Sequence, residues 1–338
     1  MRFPRVRPLI LIAVAAAVST AVPGCSKTRG SGNERLAFVT NGVADFWTIA
    51  EVGARKAGAD LGVEVDVLMP AGGITEQKQM LEDLVTRGVD GIAVSPIDPV
   101  NQTELLNRIG EATLLITHDS DAPESKRRAY IGMDNYVAGR MCGELVREAM
   151  PDGGSVMIFV GRMEQDNARR RRQGVIDDLL GRDEDPSRFD PPGQRLEGNG
   201  YVILDTLTDQ FDRAKAKANA EDTLSRHPGV GCMVGLFAYN TPAILQALEQ
   251  AGRFGQVKVA AFDEDDETLQ GIIDGHVHGA VVQNPYQYGY MSMEVLKGLK
   301  SGDAAAVPSS GFIDIPARQI RMDNVEEFWA DLKAKVGK

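Results

Sequence analysis

Short apolar segments alternate with amphipathic segments along most of the chain, and this alternation limits the folds that the chain can adopt. Residues 36–40, 91–94 and 257–262 are nearly continuous apolar runs, as expected for strands that are buried on both faces. Between such runs, apolar residues recur at helical spacing, for example at Phe46 and Ile49. Buried strands separated by helices predict an α/β fold in which parallel sheets are covered on both faces.

The alternation forms two successive blocks. Five strands are predicted in the first block, at residues 36–40, 63–68, 91–94, 114–117 and 130–133. A helix predicted at residues 136–149 opens the second block, whose five strands are predicted at residues 155–160, 202–206, 230–236, 257–262 and 278–283. Residues 182–199 are rich in Asp, Pro and Gly and predict a surface loop. A chain of 338 residues with two such blocks predicts two doubly wound parallel-sheet units.

Residues 1–24 predict a secretion signal that is not part of the fold. A positively charged start precedes an apolar run at residues 9–22, which is shorter than the roughly 20 residues of a membrane span. The run ends at Val22-Pro23-Gly24-Cys25, which resembles a bacterial lipobox whose cysteine is acylated, although Pro23 replaces the usual small residue. A plain secretory signal with an incidental cysteine is the alternative. We expect residues 25–34 to form a lipid-anchored tether that holds the folded part in the periplasm or at the outer face of the cell membrane.

Charge and residue content exclude several other classes of protein. The chain has 37 basic and 48 acidic residues, and a net charge of −11 does not suit a nucleic-acid partner. Three cysteines cannot form a disulfide scaffold, and we expect Cys142 and Cys232 to be buried free thiols. The four histidines lack metal-ligand spacing. Neither a phosphate loop nor a dinucleotide fingerprint is present, so Gly72-Gly73 predicts only a turn, and we expect no cofactor or metal.

The residues that follow the predicted strands are the candidate ligand contacts, because ligands of doubly wound sheets bind beyond the carboxyl ends of the strands. The candidates are aromatic, acidic, amide, hydroxyl or guanidinium side chains: Asp45, Phe46, Trp47, Asp119, Ser120, Asp121, Arg171, Phe211, Tyr239, Asn240, Asp263 and Gln283. Carboxylates and amides exchange hydrogen bonds with hydroxyl groups, and aromatic faces cover the C–H faces of a sugar ring. This set therefore indicates a neutral, polyhydroxylated ligand.

Several of these candidates also have a purely structural interpretation. Phe46 and Trp47 are alternatively core aromatics at the start of a helix, and Phe211 alternatively anchors its helix. Asp119 is alternatively a helix cap or the partner of an arginine. For His118, at the end of a predicted strand, we expect a structural hydrogen bond rather than ligand contact.

Short motifs along residues 36–315 together resemble one known family. Their order and spacing carry the resemblance, and they include Asp45-Phe46-Trp47, Ile131-Gly132-Met133-Asp134-Asn135, Phe211-Asp212-Arg213, Phe262-Asp263 and Gln283-Asn284-Pro285. In these motifs the chain resembles the periplasmic sugar-binding proteins of ABC transporters, specifically the ribose-binding-like group of type I periplasmic binding proteins.

The resemblance implies two doubly wound lobes joined by a three-strand hinge that close over a sugar. We expect chain crossings near residues 133, 284 and 312. The first lobe then comprises residues 35–133 and 285–311, and the second comprises residues 134–284 and 312–338.

The family's ligand contacts carry over unevenly. The resemblance implies contact roles for Phe46, Trp47, Asp119, Arg171, Phe211, Asp263 and Gln283. The family's arginine after the first acid is Ser120 here, and Asp121 offers an additional acceptor. A gapless match places Phe237 at the family's asparagine, whereas Asn240 lies three residues further on. We favour Asn240, with Tyr239 beside it.

The sequence therefore predicts a monomeric, extracytoplasmic substrate-binding lipoprotein that captures a pentose or hexose and delivers it to the membrane subunits of an ABC permease. An enzyme is disfavoured because no nucleophile elbow is present. A transcription regulator is disfavoured because a secretion signal occupies the place of a DNA-binding domain. Two alternatives stay open: binding of a non-sugar polyol or signal molecule, and a sensor accessory that presents its ligand to a receptor.

Overall fold

The computed structural model describes residues 34–337 together with Met1 and Pro4, so the predicted signal and Cys25 lie outside the described residues. The elements of the first sheet come from both ends of this range. Its strands are β1 (Arg35–Val39), β2 (Glu64–Leu68), β3 (Gly91–Val94), β4 (Leu114–His118), β5 (Tyr130–Gly132) and β12 (Phe312–Asp314). Its helices are α1 (Asp45–Leu61), α2 (Ile74–Thr86), α3 (Pro99–Ala112) and α9 (Pro285–Ser301). The strand order is β12-β5-β4-β3-β1-β2, and all pairings in this sheet are parallel.

The second sheet is formed mainly by the middle of the chain. Its strands are β6 (Gly154–Val160), β7 (Leu196–Gly198), β8 (Tyr201–Thr208), β9 (Cys232–Gly235), β10 (Lys258–Phe262), β11 (Gly279–Val282) and β13 (Arg318–Ile320). The remaining α-helices are α4 (Asn135–Ala149), α5 (Asp166–Leu179), α6 (Arg213–Arg226), α7 (Asn240–Gln250), α8 (Asp266–Ile273) and α10 (Val325–Val336). The strand order is β13-β11-β10-β9-β6-β8-β7, with only the two edge strands antiparallel to their neighbours.

Each sheet is buried on both faces, as the continuous apolar runs predict. In β1, Leu36 and Phe38 pack with the core on the side of α1 and α9, whereas Ala37 and Val39 pack with the core that includes residues of α2 and α3. Burying one such large side chain contributes roughly 2 kcal/mol to folding. Cys142 and Cys232 are buried and unpaired, which confirms their prediction as free thiols. Within residues 34–337 no helix combines the length and the apolar character that a membrane span requires.

The structure adds elements that the sequence pattern did not indicate. Strand β7 lies in the segment predicted as a loop and forms a hairpin with β8. Strands β12 and β13 were also not predicted, because three-residue strands carry too little pattern to be recognised. Helix α10 was not predicted either. The chain passes between the two sheets three times, after β5, after β11 and between β12 and β13.

The third connection differs from its predicted position near residue 312. Phe312–Asp314 pairs in parallel with β5, and the ring of Phe312 stacks on that of Tyr130 with centroids 5.3 Å apart. This pairing holds residues 312–314 in the first sheet, whereas the predicted boundary placed them in the second lobe. The chain reaches the second sheet only at β13.

Glycines allow two pairs of helices to pack in close contact. In the second sheet's layer, Gly139 of α4 faces Gly174 of α5, and a Cβ on either one would collide with a backbone carbonyl of the other helix. Gly53 of α1 and Gly289 of α9 make the equivalent contact beside the first sheet. Helices α1 and α5 both begin at the carboxyl ends of strands, so these contacts also set the position of residues at that edge.

We predict that Gly174→Ala destabilises the protein. A methyl group at this position would overlap the carbonyl oxygen of Tyr136, and overpacking of this kind costs about 2 kcal/mol. That cost exceeds the gain of about 1 kcal/mol in helix propensity from Gly to Ala. Urea denaturation should show a lower free energy of unfolding. Gly229→Ala is the control, because a Cβ there meets nothing within 4 Å. Equal stability of the Gly174→Ala variant and the wild type would contradict the helix contact.

Candidate functional site

A cavity of about 510 Å³ lies at the carboxyl ends of strands from both sheets. Asn41 and Asp119 reach it from the ends of β1 and β4 in the first sheet. Phe237 and Asp263 reach it from the ends of β9 and β10 in the second sheet. The volume falls within the range of about 300–1,000 Å³ that is usual for small-molecule sites.

Eight of the twelve predicted contact residues line this cavity: Phe46, Trp47, Asp119, Arg171, Phe211, Tyr239, Asp263 and Gln283. They come from seven different strand ends or helix starts that are far apart in the sequence. The structure therefore brings them together as the strand-end rule predicts.

Three of the other predicted residues, all of them polar, do not line the cavity. Asp45 is exposed as the first residue of α1, and Ser120 is completely buried. Asp121 accepts a hydrogen bond of 2.7 Å from Thr117 Oγ1 and pairs with the guanidinium of Arg127. The loop turns after Asp119, so its two successors support the loop instead of extending the site.

The prediction that Asn240, rather than Phe237, lines the cavity is also wrong. Asn240 donates from its amide to Asp209 Oδ2 at 2.8 Å, and its Oδ1 accepts from the backbone N–H of Phe237 at 3.1 Å. Both halves of the amide are therefore used within the protein. Phe237 lines the cavity at the position given by the gapless match.

Several lining residues were not predicted. They include Asn41, Gly72, Gly73, Arg162, Asn167, Gln210 and Arg213. Most of them also follow a strand, and this position is the sequence signal that marks them as candidates. The turn Gly72-Gly73 follows β2 in this way and forms part of the wall.

The backbone at the cavity adopts an unfavourable conformation at four positions. Asp119, Gln210, Phe211 and Asp263 have φ values of 58°, 62°, 66° and 67°, in the left-handed region. Only one other non-glycine residue of the described chain, Asn199, shares this conformation. A strained residue of this kind costs of order 1–3 kcal/mol and is characteristic of functional sites. All four residues line the cavity, so the left-handed conformation occurs where the chain must direct its side chains to the site.

Asp119 is held by three donors that converge on one of its oxygens. Its Oδ2 accepts from Ser95 Oγ at 2.9 Å, from Asn41 Nδ2 at 3.3 Å and from Asn167 Nδ2 at 3.3 Å. No described residue donates to Oδ1, so this oxygen is available to a ligand hydroxyl. Asn167 belongs to α5, which packs with the second sheet. Its hydrogen bond to Asp119 therefore connects the elements around the first sheet with those around the second.

Burial raises the pKa of Asp119 to about 6, although the charge of Arg171 and the hydrogen bond from Ser95 oppose this shift. Burial also raises the pKa of Asp263, again against the effect of Arg171. A carboxylate that receives hydroxyl donors from a ligand is favoured in its ionised form. Ligand binding would therefore lower both pKa values.

Arg171 is the central cation of the site and is only 1% exposed. Its Nη1 donates to the carbonyl of Leu236 at 2.7 Å, and its Nη2 donates to Asn135 Oδ1 at 3.0 Å. Nη1 also lies 3.9 Å from Asp263 Oδ2, and the guanidinium covers the ring of Phe262 with 4.5 Å to the centroid. These contacts fix the guanidinium plane. Gln283 completes the arrangement by donating to Asp263 Oδ1 at 2.7 Å.

Asp209 is a positioning residue that the sequence analysis did not identify. It is fully buried behind the cavity wall and accepts from the backbone N–H of Phe211 at 2.9 Å and from the hydroxyl of Tyr239. Burial raises its pKa to about 6. These bonds hold the left-handed turn of Phe211 and direct Tyr239 along the wall.

The aromatic residues of the cavity wall beside the first sheet pack against a neutral histidine. The rings of Phe46 and Trp47 meet edge to face with centroids 4.8 Å apart, and Trp47 Nε1 donates to Asn41 Oδ1 at 3.1 Å. Behind them, His118 stacks on Phe38, and its Nε2 lies 3.2 Å from the carbonyl of Val39. Burial lowers the pKa of His118 to about 3, so it stays uncharged at neutral pH. The structural role expected for His118 is confirmed.

The cavity offers groups for hydrogen bonding and stacking but no evident metal site. Within residues 34–337 no three His, Cys, Asp or Glu side chains converge closely enough to hold a metal ion. The polar groups of the wall are carboxylates, amides and guanidinium groups, and its apolar part is aromatic. Such a wall recognises a compact molecule that has both polar edges and apolar faces.

Comparison with known proteins gives a consistent result. The sequence profile described as "Periplasmic binding protein domain" matches residues 36–304. The ribose import binding protein of Bacillus subtilis is 24% identical over 294 residues, which cover 85% of this chain and 89% of that protein. The D-allose-binding periplasmic protein of Escherichia coli is 23% identical over 74% of this chain and 79% of its own length.

A solved structure shows the same architecture. An ABC transporter solute-binding protein from Burkholderia graminis, in complex with D-arabinose, superposes with a TM-score of 0.77 and 27% identity. The match covers 86% of this chain and 96% of that protein.

The raised pKa of Asp119 predicts a pH-dependent stability of the ligand-free protein. Because the folded protein binds this proton more tightly than the unfolded chain does, the stabilisation is complete below pH about 4 and is lost as the pH rises through about 6. Asp119→Asn removes this effect. Its free energy of unfolding relative to the wild type should therefore rise by up to ~3 kcal/mol from pH 4 to 7 in urea titrations. A difference that is independent of pH would contradict the assignment.

Proposed function

The chain belongs to the periplasmic binding protein family, and we propose that it is the sugar-binding component of an ABC transporter, which holds a monosaccharide in the cavity at the strand ends. The arrangement of Asp119, Arg171 and Asp263 between aromatic walls is the observation that carries this proposal. Two carboxylates accept from sugar hydroxyls, and the guanidinium donates to them. Phe46, Trp47 and Phe211 supply faces for the ring C–H groups.

The names of the relatives support a pentose or hexose as the ligand. The proteins named above bind ribose, allose or arabinose by their descriptions, and these are monosaccharides. They are binding proteins rather than enzymes, and this chain likewise is not an enzyme. Its role is to capture a ligand and release it unchanged to the membrane subunits.

The mechanism that we propose is closure of two lobes around the sugar. Each lobe is centred on one sheet, and the three connections between the sheets form the hinge. Asn167 and Asp119, from different layers, are within 3.3 Å of each other, so the described arrangement corresponds to a narrow cleft. A ligand that contacts both layers favours this form only by its difference in affinity for the open and closed states. Shifting the population from 1:99 to 99:1 takes about 5.5 kcal/mol of that difference.

Buried charges make a closed cleft without ligand less favourable than one that holds a sugar. Asp119 is 4% exposed and Arg171 is 1% exposed, and each ionised group loses hydration when the cleft closes. A sugar restores hydrogen bonds to these groups, whereas an empty closed cleft leaves Asp119 Oδ1 without a protein donor. The closed shape therefore reports that a ligand is bound, and the permease can distinguish it.

We also propose that the protein is a monomer in the periplasm, anchored to the membrane through a lipid on Cys25. The basic start, the apolar run and the lipobox-like Val22-Pro23-Gly24-Cys25 support the secretion and the lipid anchor. Residues 25–34 then serve as the tether between the lipid and the folded part.

We predict that Asp263→Asn weakens sugar binding at least tenfold in isothermal titration calorimetry. Asn keeps an Oδ1 acceptor for Gln283 and tolerates the left-handed backbone, so the fold is retained. The lost hydrogen bond to a charged group contributes about 1.5–3 kcal/mol, which corresponds to at least tenfold in affinity. Asp222→Asn, on the exposed face of α6, is the charge-matched control. An unchanged affinity of the Asp263→Asn variant would refute the assigned site.

We predict that Cys25→Ala releases the protein from the membrane. Without an acylated cysteine the chain has no lipid anchor, so detergent phase separation should move it from the detergent to the aqueous phase. Mass spectrometry of the wild-type N-terminus should show a lipid-modified Cys25. Cys142→Ala is the control, because this thiol is buried in the core. Wild-type protein in the aqueous phase would contradict the anchor.

A further inference from the structure

Three guanidinium groups line the cavity, but only one of them is balanced by the site's own carboxylates. The lining contains Arg162, Arg171 and Arg213 and two acidic residues, Asp119 and Asp263. Arg171 lies beside Asp263 and already donates to the protein at Leu236 and Asn135. The charges of Asp119 and Asp263 are thus associated with Arg171. Arg162 and Arg213 have no such partner, and the three guanidinium groups exceed the two carboxylates of the lining by one charge.

Arg162 has no anionic partner of its own. It follows β6, is half-buried and covers the ring of Phe211 with its guanidinium 4.8 Å from the centroid. Within residues 34–337 it makes no ion pair or hydrogen bond. On the opposite wall, a Cβ built on Gly73 would lie 4.0 Å from Arg162 Nη2, which is an ordinary van der Waals distance, so the guanidinium reaches close to the turn after β2. Arg162 lines the cavity, so its unpaired donors are available to a ligand group there.

Arg213 is the second unpaired guanidinium. It is the first residue of α6, two positions after Phe211, and it is exposed at the cavity. Among the described residues it also forms no hydrogen bond or ion pair. The charge of Arg213 acts on Asp265, but the two side chains form no ion pair within 4.0 Å. Arg162 covers the ring of Phe211 and Arg213 follows Phe211 by two positions, so both bring unpaired donors to the same part of the cavity lining.

Two arginines without ion-pair partners at the cavity are informative because the whole chain is acidic. With a net charge of −11, the protein repels anions at long range, so an anionic ligand needs local positive charge to bind. A neutral sugar does not need this pair, since Asp119, Asp263 and Arg171 already supply acceptors and donors for its hydroxyl groups. Guanidinium groups match carboxylate and phosphate oxygens in a bidentate geometry that neutral hydroxyls do not use.

We propose that the natural ligand is an anionic sugar, whose carboxylate or phosphate group is bound by Arg162 and Arg213 while its hydroxylated ring is bound by the rest of the cavity. This inference rests on the proposed function, because it names the class of sugar for the same site. It differs from the neutral ligand that the sequence pattern indicated. The two arginines are then the residues that determine specificity for the acid over its neutral counterpart.

The test compares matched neutral and anionic sugars by isothermal titration calorimetry. The pairs are glucose with glucuronate, galactose with galacturonate, and ribose with ribose 5-phosphate. We expect one anionic member to bind at least tenfold more tightly than its neutral counterpart, with an affinity that falls as salt is raised. The uronates and the sugar phosphate distinguish a carboxylate from a phosphate ligand.

The double variant R162Q/R213Q connects the preference to these residues. It should remove most of the advantage of the anion, measured as the ratio of the affinities for the anionic and the neutral sugar in the same variant, since charge-assisted bonds contribute roughly twice as much as neutral ones. R226Q, on the exposed face of α6, is the matched control and should keep the preference. Circular dichroism of both variants verifies their folding.

The outcomes separate the two proposals. If neutral sugars bind as tightly as the anionic ones, and R162Q/R213Q changes neither affinity, the proposal of an anionic ligand is refuted. The proposed function as a sugar-binding protein then stands. An anion preference that survives in R162Q/R213Q also overturns the assignment. If no member of any pair binds to the wild-type protein, both the sugar-binding function and this inference fail.

Discussion

The buried positive charge of Arg171 is the interaction on which the site depends. A guanidinium that is 1% exposed is tolerated only where its donors are satisfied and an anion is close, and Leu236, Asn135 and Asp263 meet these conditions. The same charge opposes the rise in pKa that burial imposes on Asp119 and Asp263. Removing any one of these partners leaves a desolvated charge or carboxyl group behind. The cluster is therefore costly to bury without a ligand.

The scaffold keeps this cluster in place through close packing and local strain. Glycine contacts between α4 and α5, and between α1 and α9, hold the helices that begin at the cavity near their neighbours. Four residues of the wall adopt left-handed backbone, and Asp209 anchors the turn at Phe211 from behind. Burial of apolar side chains in the core does not by itself require these features. They are explained by the need to present side chains from both sheets to one small molecule.

Sequence reasoning identified the residues that follow long strands and missed those whose role depends on side-chain direction. Asp119 and Asp263 were predicted because they directly follow buried apolar runs, and both line the cavity. Asn240 was assigned to the ligand, but its amide bonds to Asp209, a residue some thirty positions earlier that no pattern connects with it. Arg162 and Arg213 were not predicted, because an arginine at a strand end is not distinguishable in sequence from a solvated surface residue. Whether such a residue has a partner is known only from its neighbours in space.

The sequence by itself determined the class of the fold and the edge of the sheets where a ligand binds. Apolar runs that alternate with amphipathic helices are buried as parallel sheets covered by helices on both faces, and parallel strands place all their carboxyl ends at the same edge. The tertiary structure alone decided which polar groups face the cavity, where the chain makes its last passage between the sheets, and which guanidinium groups have partners. The reason is physical: burial of apolar surface depends on local periodicity, whereas hydrogen bonds and charge balance depend on distances of a few ångströms between residues far apart in the chain.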